Sequence, residues 1–461
     1  MIHKFKFDDK KIVLDVNSGA VHVVDDVTWD VLDYYEKYAE KDRETVRDLV
    51  LSNLSRHYKN EELLEVINEI EDLIEQGLLF SADSIPREYS LPENPVVKSL
   101  CLHVAHDCNL RCKYCFAGTG HFGGEKGLMP FEVGKAAIDF LVQSSQRRKH
   151  CEIDFFGGEP LLNMDVVKQI VHYGREQGAK HDKEFKFTLT TNAVRLDAEI
   201  INYLNDNDIA VVLSLDGRPE VNDRMRLTPA GKGSYHTITH KIKEMVQSRH
   251  NENYYVRGTF TRFNLDFAAD VLHLVDDLGF KHVSVEPVVA GAENDYAFRE
   301  EDLPVLFAEY EKLTRSYLEH YSNRNEFNFF HFNLELEHGP CLPKRLSGCG
   351  AGHEYLAVTP EGDLYPCHQF VGRREYRLGT VFDGIFEDRR HIMKQFQQAH
   401  IYNKQKCREC WAKFFCSGGC HANAHAFNGT LLEPYDIGCQ LEKKRVECAI
   451  YIQVKKMKGE I

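Results

Sequence analysis

Three cysteines spaced as Cys108-Asn-Leu-Arg-Cys112-Lys-Tyr-Cys115 are the first residues here whose types and spacing suggest chemistry. A CxxxCxxC set on one loop brings three thiolates together, enough to hold three irons of a [4Fe–4S] cluster and leave the fourth iron open to a substrate or cofactor. Zinc is the competing reading, but it prefers four ligands and its common pair spacings do not include this set. A second set lies downstream: Cys349, then Gly362 and Cys367, then Cys407-x2-Cys410-x5-Cys416-x3-Cys420, and Cys439 after a longer gap. Its CxxC pair is also zinc spacing, so zinc stays open there. Cys341 stands close before this set, whereas Cys101, Cys151 and Cys448 read as small buried hydrophobes.

Short polar groups stand where strands are expected to end. In Gly157-Gly158-Glu159-Pro160 the paired glycines let a backbone edge approach a ligand, and Glu159 can accept from an amine; alone the segment is a turn. Thr190-Thr191-Asn192 and Ser214-Leu215-Asp216-Gly217 suit a ribose or amino-acid moiety, or serve as strand-end caps. Arg226 can grip a carboxylate with two hydrogen bonds, or be an ordinary surface arginine.

The elements that must position these groups follow from periodicity. Residues 1–85 predict a small unit: short strands at His3–Phe7, Lys11–Leu14 and Val21–Val24, then helices at Val27–Tyr38, Glu44–Tyr58 and Glu61–Gln76, stopped by Gly77. Pro86, Pro92 and Pro95 mark a linker. Residues 96–325 alternate strand and helix. The strands are Leu100–Val104, Glu152–Phe156, Phe185–Thr191, Ala210–Leu215, Tyr255–Thr261 and His282–Pro287; the helices are Phe131–Val142, Val166–Gln177, Ala198–Asn205, Tyr235–Gln247, Phe267–Leu278 and Leu303–His320. Six βα units in series predict an α/β fold with a parallel sheet, a partial (β/α)6 barrel whose chemistry gathers at the C-terminal strand ends. Residues 335–440 turn irregular and rich in Cys and Gly, a composition that buries little apolar surface and folds around metal. Residues 441–461 predict a helix, basic over Leu441–Lys458.

Composition narrows the partners. With 57 Lys and Arg against 71 Asp and Glu, the 461-residue chain carries −14, which argues against nucleic acid or an anionic membrane as the main partner. The opening MIHKFKFDDKK lacks a signal peptide's apolar stretch, and no run reaches membrane-helix length, so a cytoplasmic protein is expected. Fourteen cysteines in a reducing compartment point to metal ligation or catalysis rather than disulfides.

Taken together, the CxxxCxxC loop with an aromatic before its last Cys, the Gly-Gly-Glu-Pro turn and the Ser-Leu-Asp-Gly strand end resemble the radical S-adenosylmethionine (SAM) superfamily over about residues 97–290. The resemblance implies that Cys108, Cys112 and Cys115 hold the SAM cluster, whose open iron binds the amino and carboxylate groups of SAM; one electron then yields a 5′-deoxyadenosyl radical that takes a substrate hydrogen. It implies SAM contacts from Tyr114 (adenine), Gly157, Gly158 and Glu159 (methionine amine), Asn192, Ser214 and Asp216 (ribose or methionine end) and Arg226 (carboxylate). The downstream cysteines resemble the SPASM extension of enzymes that alter peptides or proteins. By that resemblance Cys407, Cys410, Cys416 and Cys439 hold one auxiliary [4Fe–4S] cluster and Cys349, Cys367 and Cys420 the other, three clusters in all. Seven thiolates leave either an open iron, suited to a substrate thiolate, or a place for Cys341. Anaerobic sulfatase maturases carry an Asp directly after the cysteine matching Cys367. This chain has His368 there, which suits a base or a structural role and weakens a formylglycine-forming reading.

Residues 1–85 resemble a winged-helix-like leader-peptide recognition domain, to which a precursor adds a strand; the alternative is a unit that only stabilises the barrel. The order of parts resembles the maturases of SCIFF peptides (six cysteines in forty-five), which join a cysteine sulfur to the α-carbon of an acceptor residue. That implies a Cys-rich precursor peptide and a reductant such as flavodoxin or ferredoxin as partners. The rivals are sulfatase-type Ser or Cys oxidation, another radical crosslink on a polypeptide, or a non-catalytic metal-binding scaffold.

Overall fold

Residues 1–83, 95–334, 336, 342–457 and 459 are described by the computed structural model; most of the expected proline linker, and Cys341, lie outside them. An antiparallel sheet opens the chain, β1 (Ile2–Phe7), β2 (Lys10–Asp15) and β3 (Val21–Val24) side by side in that order. Helices α1 (Asp26–Lys37), α2 (Arg43–Leu54) and α3 (Asn60–Glu75) follow. Asp25 and Asp42 start the first two by accepting the amides of Thr28 and Thr45, which satisfies one orphan donor at each end. Helix α2 stops at Leu54, short of the expected Tyr58, because Tyr58 turns back to donate to Asp30 of α1 at 2.7 Å. The sheet is covered on both faces: Ile2 and Val13 pack under these helices, while Phe5, Phe7, Ile12 and Leu14 belong to the core of the rest of the molecule. That explains the unbroken apolar run Ile12-Val13-Leu14.

The central sheet is the expected set of six parallel strands in chain order: β4 (Ser99–Ala105), β5 (His150–Gly157), β6 (Glu184–Thr191), β7 (Ala210–Ser214), β8 (Tyr254–Phe260) and β9 (His282–Pro287). Helices α4 (Phe131–Ser144), α5 (Met164–His181), α6 (Ala198–Asp206), α7 (Pro219–Met225), α8 (Tyr235–Ser248), α9 (Phe267–Leu272) and α10 (Leu303–Ser322) connect and flank them. Leu100, Leu102, Ile153, Phe155, Phe187, Leu189, Val211, Leu213, Val256, Val283 and Val285 form the helix-covered core. The helix expected over Phe267–Leu278 is instead α9 followed by one π turn, His273–Asp277, where His273 bonds Tyr235 and Asp277 at 2.7 Å each.

Both sheet edges are extended, which periodicity did not reveal. The two-residue strand β10 (Asn328–Phe329) adds to β9, and β11 (Tyr355–Val358) adds in parallel to the free edge of β4. Strands β12 (Asp363–Tyr365), β13 (Gly379–Thr380) and β14 (Gly384–Ile385) continue antiparallel, so the sheet has eleven strands among the described residues. The Cys-rich region is thus hydrogen-bonded to the barrel rather than folded around its cysteines alone. The last helix, Asp436–Met457, begins before Leu441 and runs through the expected boundary at 440/441, with Cys439 in its first turn. Among the described residues no helix is long and apolar enough to cross a membrane.

Candidate functional site

The cysteine loop leaves the C-terminal end of β4 and is stitched to the end of β5. The Gly158 amide donates to the Ala105 carbonyl at 2.8 Å and the Glu159 amide to the Asp107 carbonyl at 2.9 Å. A Cβ on Gly157, whose φ is +124°, would stand 2.3 Å from the Ala105 oxygen, and one on Gly158 2.1 Å from the Asp107 oxygen. The paired glycines are therefore needed for close approach to the cysteine loop itself. Glu159 serves the same join. Its carboxylate is buried and accepts at Oε1 from the Leu161 amide (3.0 Å) and the Thr191 hydroxyl (2.7 Å) and at Oε2 from the Asn192 amide (2.8 Å), which ties β5 to β6 and leaves Oε2 one further acceptor position. Asn192 thereby reaches the loop, donating to Asn109 at 2.8 Å and to the Cys108 sulfur at 3.6 Å.

The half-buried Tyr114 and the buried Asp216 and Arg226 form one group. The Tyr114 hydroxyl donates to both Asp216 oxygens (2.8 and 2.6 Å), the Arg226 guanidinium donates to Tyr114 at 3.1 Å, and Arg226 lies 3.9 Å from Asp216. Burial pushes the Asp216 carboxyl up to about 6 against the pull of Arg226. Arg226 is not a surface arginine: it is 7% exposed and its Nε has no protein acceptor among the described residues. Ser214, half-buried at the end of β7, likewise has no side-chain partner there. A free donor on Arg226 beside the cysteine loop suits a carboxylate-bearing ligand, and Ser214 offers a free hydroxyl at the end of β7.

The thiols fall into three sets. Burial pushes Cys108 up to about 12, and Cys112 and Cys115 add to it. Burial raises Cys416 and brings Cys439 to about 11, with Cys407 and Cys410 acting on both. Burial lifts Cys367 to about 12, with Cys420 and Cys349 adding. Thiols crowded this way resist ionising unless a cation binds them, the donor chemistry iron–sulfur clusters use. Among the described residues no three His, Cys, Asp or Glu side chains close on one another as a single ion requires.

His368 sits where these parts meet. Its Nδ1 is 3.0 Å from the Tyr355 hydroxyl of β11, and its ring lies 5.5 Å from Phe116, next to Cys115, and 5.2 Å from Phe156 at the end of β5. Burial, helped by Arg257, holds the imidazole down to about 4, so it is neutral near pH 7. The strand faces away from the helices carry residues that motif reading passed over: Glu152 and Asp154, Lys186 and Thr188, Arg257 and Thr259, Ser284 and Glu286. Burial pushes Asp154 up to about 6, with Glu152 adding. A signal was present, since parallel strands covered on both faces are apolar throughout and polar residues at every second position mark a solvated lumen.

Residues 102–295 match the Radical SAM superfamily and residues 349–411 the SPASM iron–sulfur cluster-binding domain. A cysteine-type anaerobic sulfatase-maturating enzyme of Clostridium novyi is 22% identical over 71% of this chain and 89% of its own. Native anSMEcpe with bound AdoMet and the Cp18Cys peptide superposes with a TM-score of 0.64 at 20% identity, covering 79% of this chain and 99% of that one. Streptococcus suis SuiB bound to precursor peptide SuiA gives 0.50 at 15% identity over 95% of this chain and 98% of its own. The architecture is that of a radical SAM α/β fold with a C-terminal SPASM domain, and both domains bind [4Fe–4S] clusters.

Proposed function

We propose that this chain, built from a radical SAM domain and a SPASM domain, modifies a ribosomally made Cys-rich precursor peptide, joining a cysteine sulfur to the α-carbon of an acceptor residue. The observation that carries the reading is the pairing of β11 with β4 together with the seating of His368, next to Cys367 in the Cys-rich region, against Phe116 and Phe156 at the mouth of the barrel. The names of the peptide-bound relatives support a peptide substrate. Cys108, Cys112 and Cys115 hold the SAM cluster; Cys407, Cys410, Cys416 and Cys439 hold one auxiliary cluster and Cys349, Cys367 and Cys420 the other, a set that Cys341 completes or leaves open. With these groups bound, the chemistry supplied is reductive SAM cleavage to a hydrogen-abstracting 5′-deoxyadenosyl radical and an auxiliary sink for the surplus electron.

The protein's own residues hold and shield. Arg226 and Ser214 orient the amino-acid end of SAM, and Asp216 with Tyr114 keeps Arg226 in place. His368, neutral and tied at Nδ1 to Tyr355, is placed to take the substrate thiol proton at Nε2 once that thiol is acidified at an open auxiliary iron, since an imidazole held down to about 4 is too weak a base for a free one. The 1–85 unit receives the leader along the open edge of β3, and a flavodoxin or ferredoxin supplies electrons. Anaerobically reconstituted protein tests this. About twelve irons are expected, about eight when Cys108, Cys112 and Cys115 are replaced by Ala, with 5′-deoxyadenosine formed only by the parent. A Cys-rich precursor incubated with the parent should lose two hydrogens per bond and its alkylatable thiol. An aldehyde at Ser or Cys would instead favour oxidation of the sulfatase-maturase kind, which the Clostridium novyi relative keeps as the second reading.

A further inference from the structure

Between the two auxiliary thiol sets lies a lysine with no solvent exposure and, among the described residues, no carboxylate partner. The Lys404 side chain is fully buried and donates from Nζ to the Gly418 carbonyl at 2.6 Å. Gly418 stands two residues after Cys416 of one set and two before Cys420 of the other. The ammonium is therefore anchored on the short stretch of chain that connects the two sites. A Cβ on Gly418, whose φ is +87°, would come within 3.3 Å of Nζ, so the glycine leaves room for this contact. One neutral carbonyl does not offset the desolvation of a buried ammonium, which has three donors, and among the described residues no Asp or Glu lies within ion-pair reach. The anionic groups available are the thiolates. Burial holds the lysine below its usual pKa, while Cys407, Cys416, Cys420 and Cys439, drawn from both sets, act the other way.

We propose that Lys404 is the shared counter-cation of the two auxiliary clusters and raises the reduction potential of both. A cluster ligated by thiolates becomes more negative by one charge when reduced, and a fixed positive charge beside it in a low-dielectric interior stabilises that form more than the oxidised one. The lysine thus favours passage of the surplus electron into the auxiliary sites, a role that rests on the cluster assignment above.

The test is a redox titration of reconstituted protein followed by electron paramagnetic resonance, comparing the parent with Lys404→Met, Lys404→Gln and Lys404→Arg. With parental iron in all four, the neutral variants are expected to lower the reduced-to-oxidised ratio of the auxiliary clusters about tenfold at fixed poise, ~59 mV for a one-electron couple, leaving the SAM cluster unmoved. Lys404→Arg should stay nearer the parent. Unchanged auxiliary potentials at parental iron content would overturn the role of the lysine and leave the cluster assignment standing. A parent holding only about four irons would sink the assignment itself. If the neutral variants lose iron, Lys404→Arg decides: auxiliary clusters retained at near-parental potentials support the proposal, since the positive charge alone then preserves them, and auxiliary iron lost from Lys404→Arg as well refutes a role for the charge.

Discussion

Asp216 shows how much of the site is spent on holding one arginine. Its carboxylate takes the hydroxyl of the half-buried Tyr114 and faces Arg226, and the carboxylate and the guanidinium both lie out of solvent. Asp216→Ala leaves the guanidinium buried without its counter-charge and is expected to cost about 3 kcal/mol of stability or more in chemical denaturation. Asp216→Asn, which still accepts from Tyr114, should cost less; equal losses would show that the charge is immaterial. The residue types here were legible from the Ser-Leu-Asp-Gly strand end and Arg226, but their partners were not. Hydrogen bonds between positions over a hundred residues apart leave no spacing to read, and neither do those that tie Glu159 to Thr191 and Asn192 of the next strand end. Lys404 was wholly silent, because a lysine in a basic-looking stretch carries no mark of burial.

At the scale of the element, the join between β4 and β5 governs the cysteine loop. Gly158→Ala places a methyl group against the Asp107 carbonyl, which is backbone and cannot swing aside. Iron should fall from about twelve to about eight per chain while the auxiliary signals persist; full retention would show that the loop adapts. Asp15, at the end of β2, is a second join, accepting from Ser18 (amide 2.9 Å, hydroxyl 2.8 Å) and from the Ser81 amide (3.0 Å) and hydroxyl. Burial alone would raise its pKa, but these hydrogen bonds prevail and hold it below the ordinary value. Its contribution is therefore complete above about pH 4, the usual aspartate value, and fades as pH falls further. Asp15→Ala should cost ~1.5–3 kcal/mol near neutral pH, with the difference from the parent shrinking in acid; a gap that stays constant down to low pH would exclude the carboxylate as its source.

Across the whole molecule, the first unit is cemented to the last. His3 stacks on Trp411, directly after Cys410, with ring centres 3.6 Å apart, and Phe7 stacks on Tyr451 of the final helix at 4.1 Å. Asp8 pairs with Arg315 of α10 at 2.8 Å, and Asp83 receives the Tyr402 hydroxyl at 2.9 Å. Removing residues 1–83 uncovers the surfaces that Phe5, Phe7, Ile12 and Leu14 seal, so a lowered melting temperature and self-association in size-exclusion chromatography are expected. A truncated protein that stayed monomeric at the parental melting temperature would mean the unit is merely tethered. The sequence by itself determined the six-strand series, the βββααα order of the first unit and the cysteine motifs, because periodicity and ligand spacing are local properties. Only the tertiary structure decided that β11 joins β4, that the last helix binds the first sheet to the barrel, and that Lys404 stands between two thiol sets. Those outcomes depend on which edges and faces remain unpaired once the local elements have formed, and no short window of sequence contains that information.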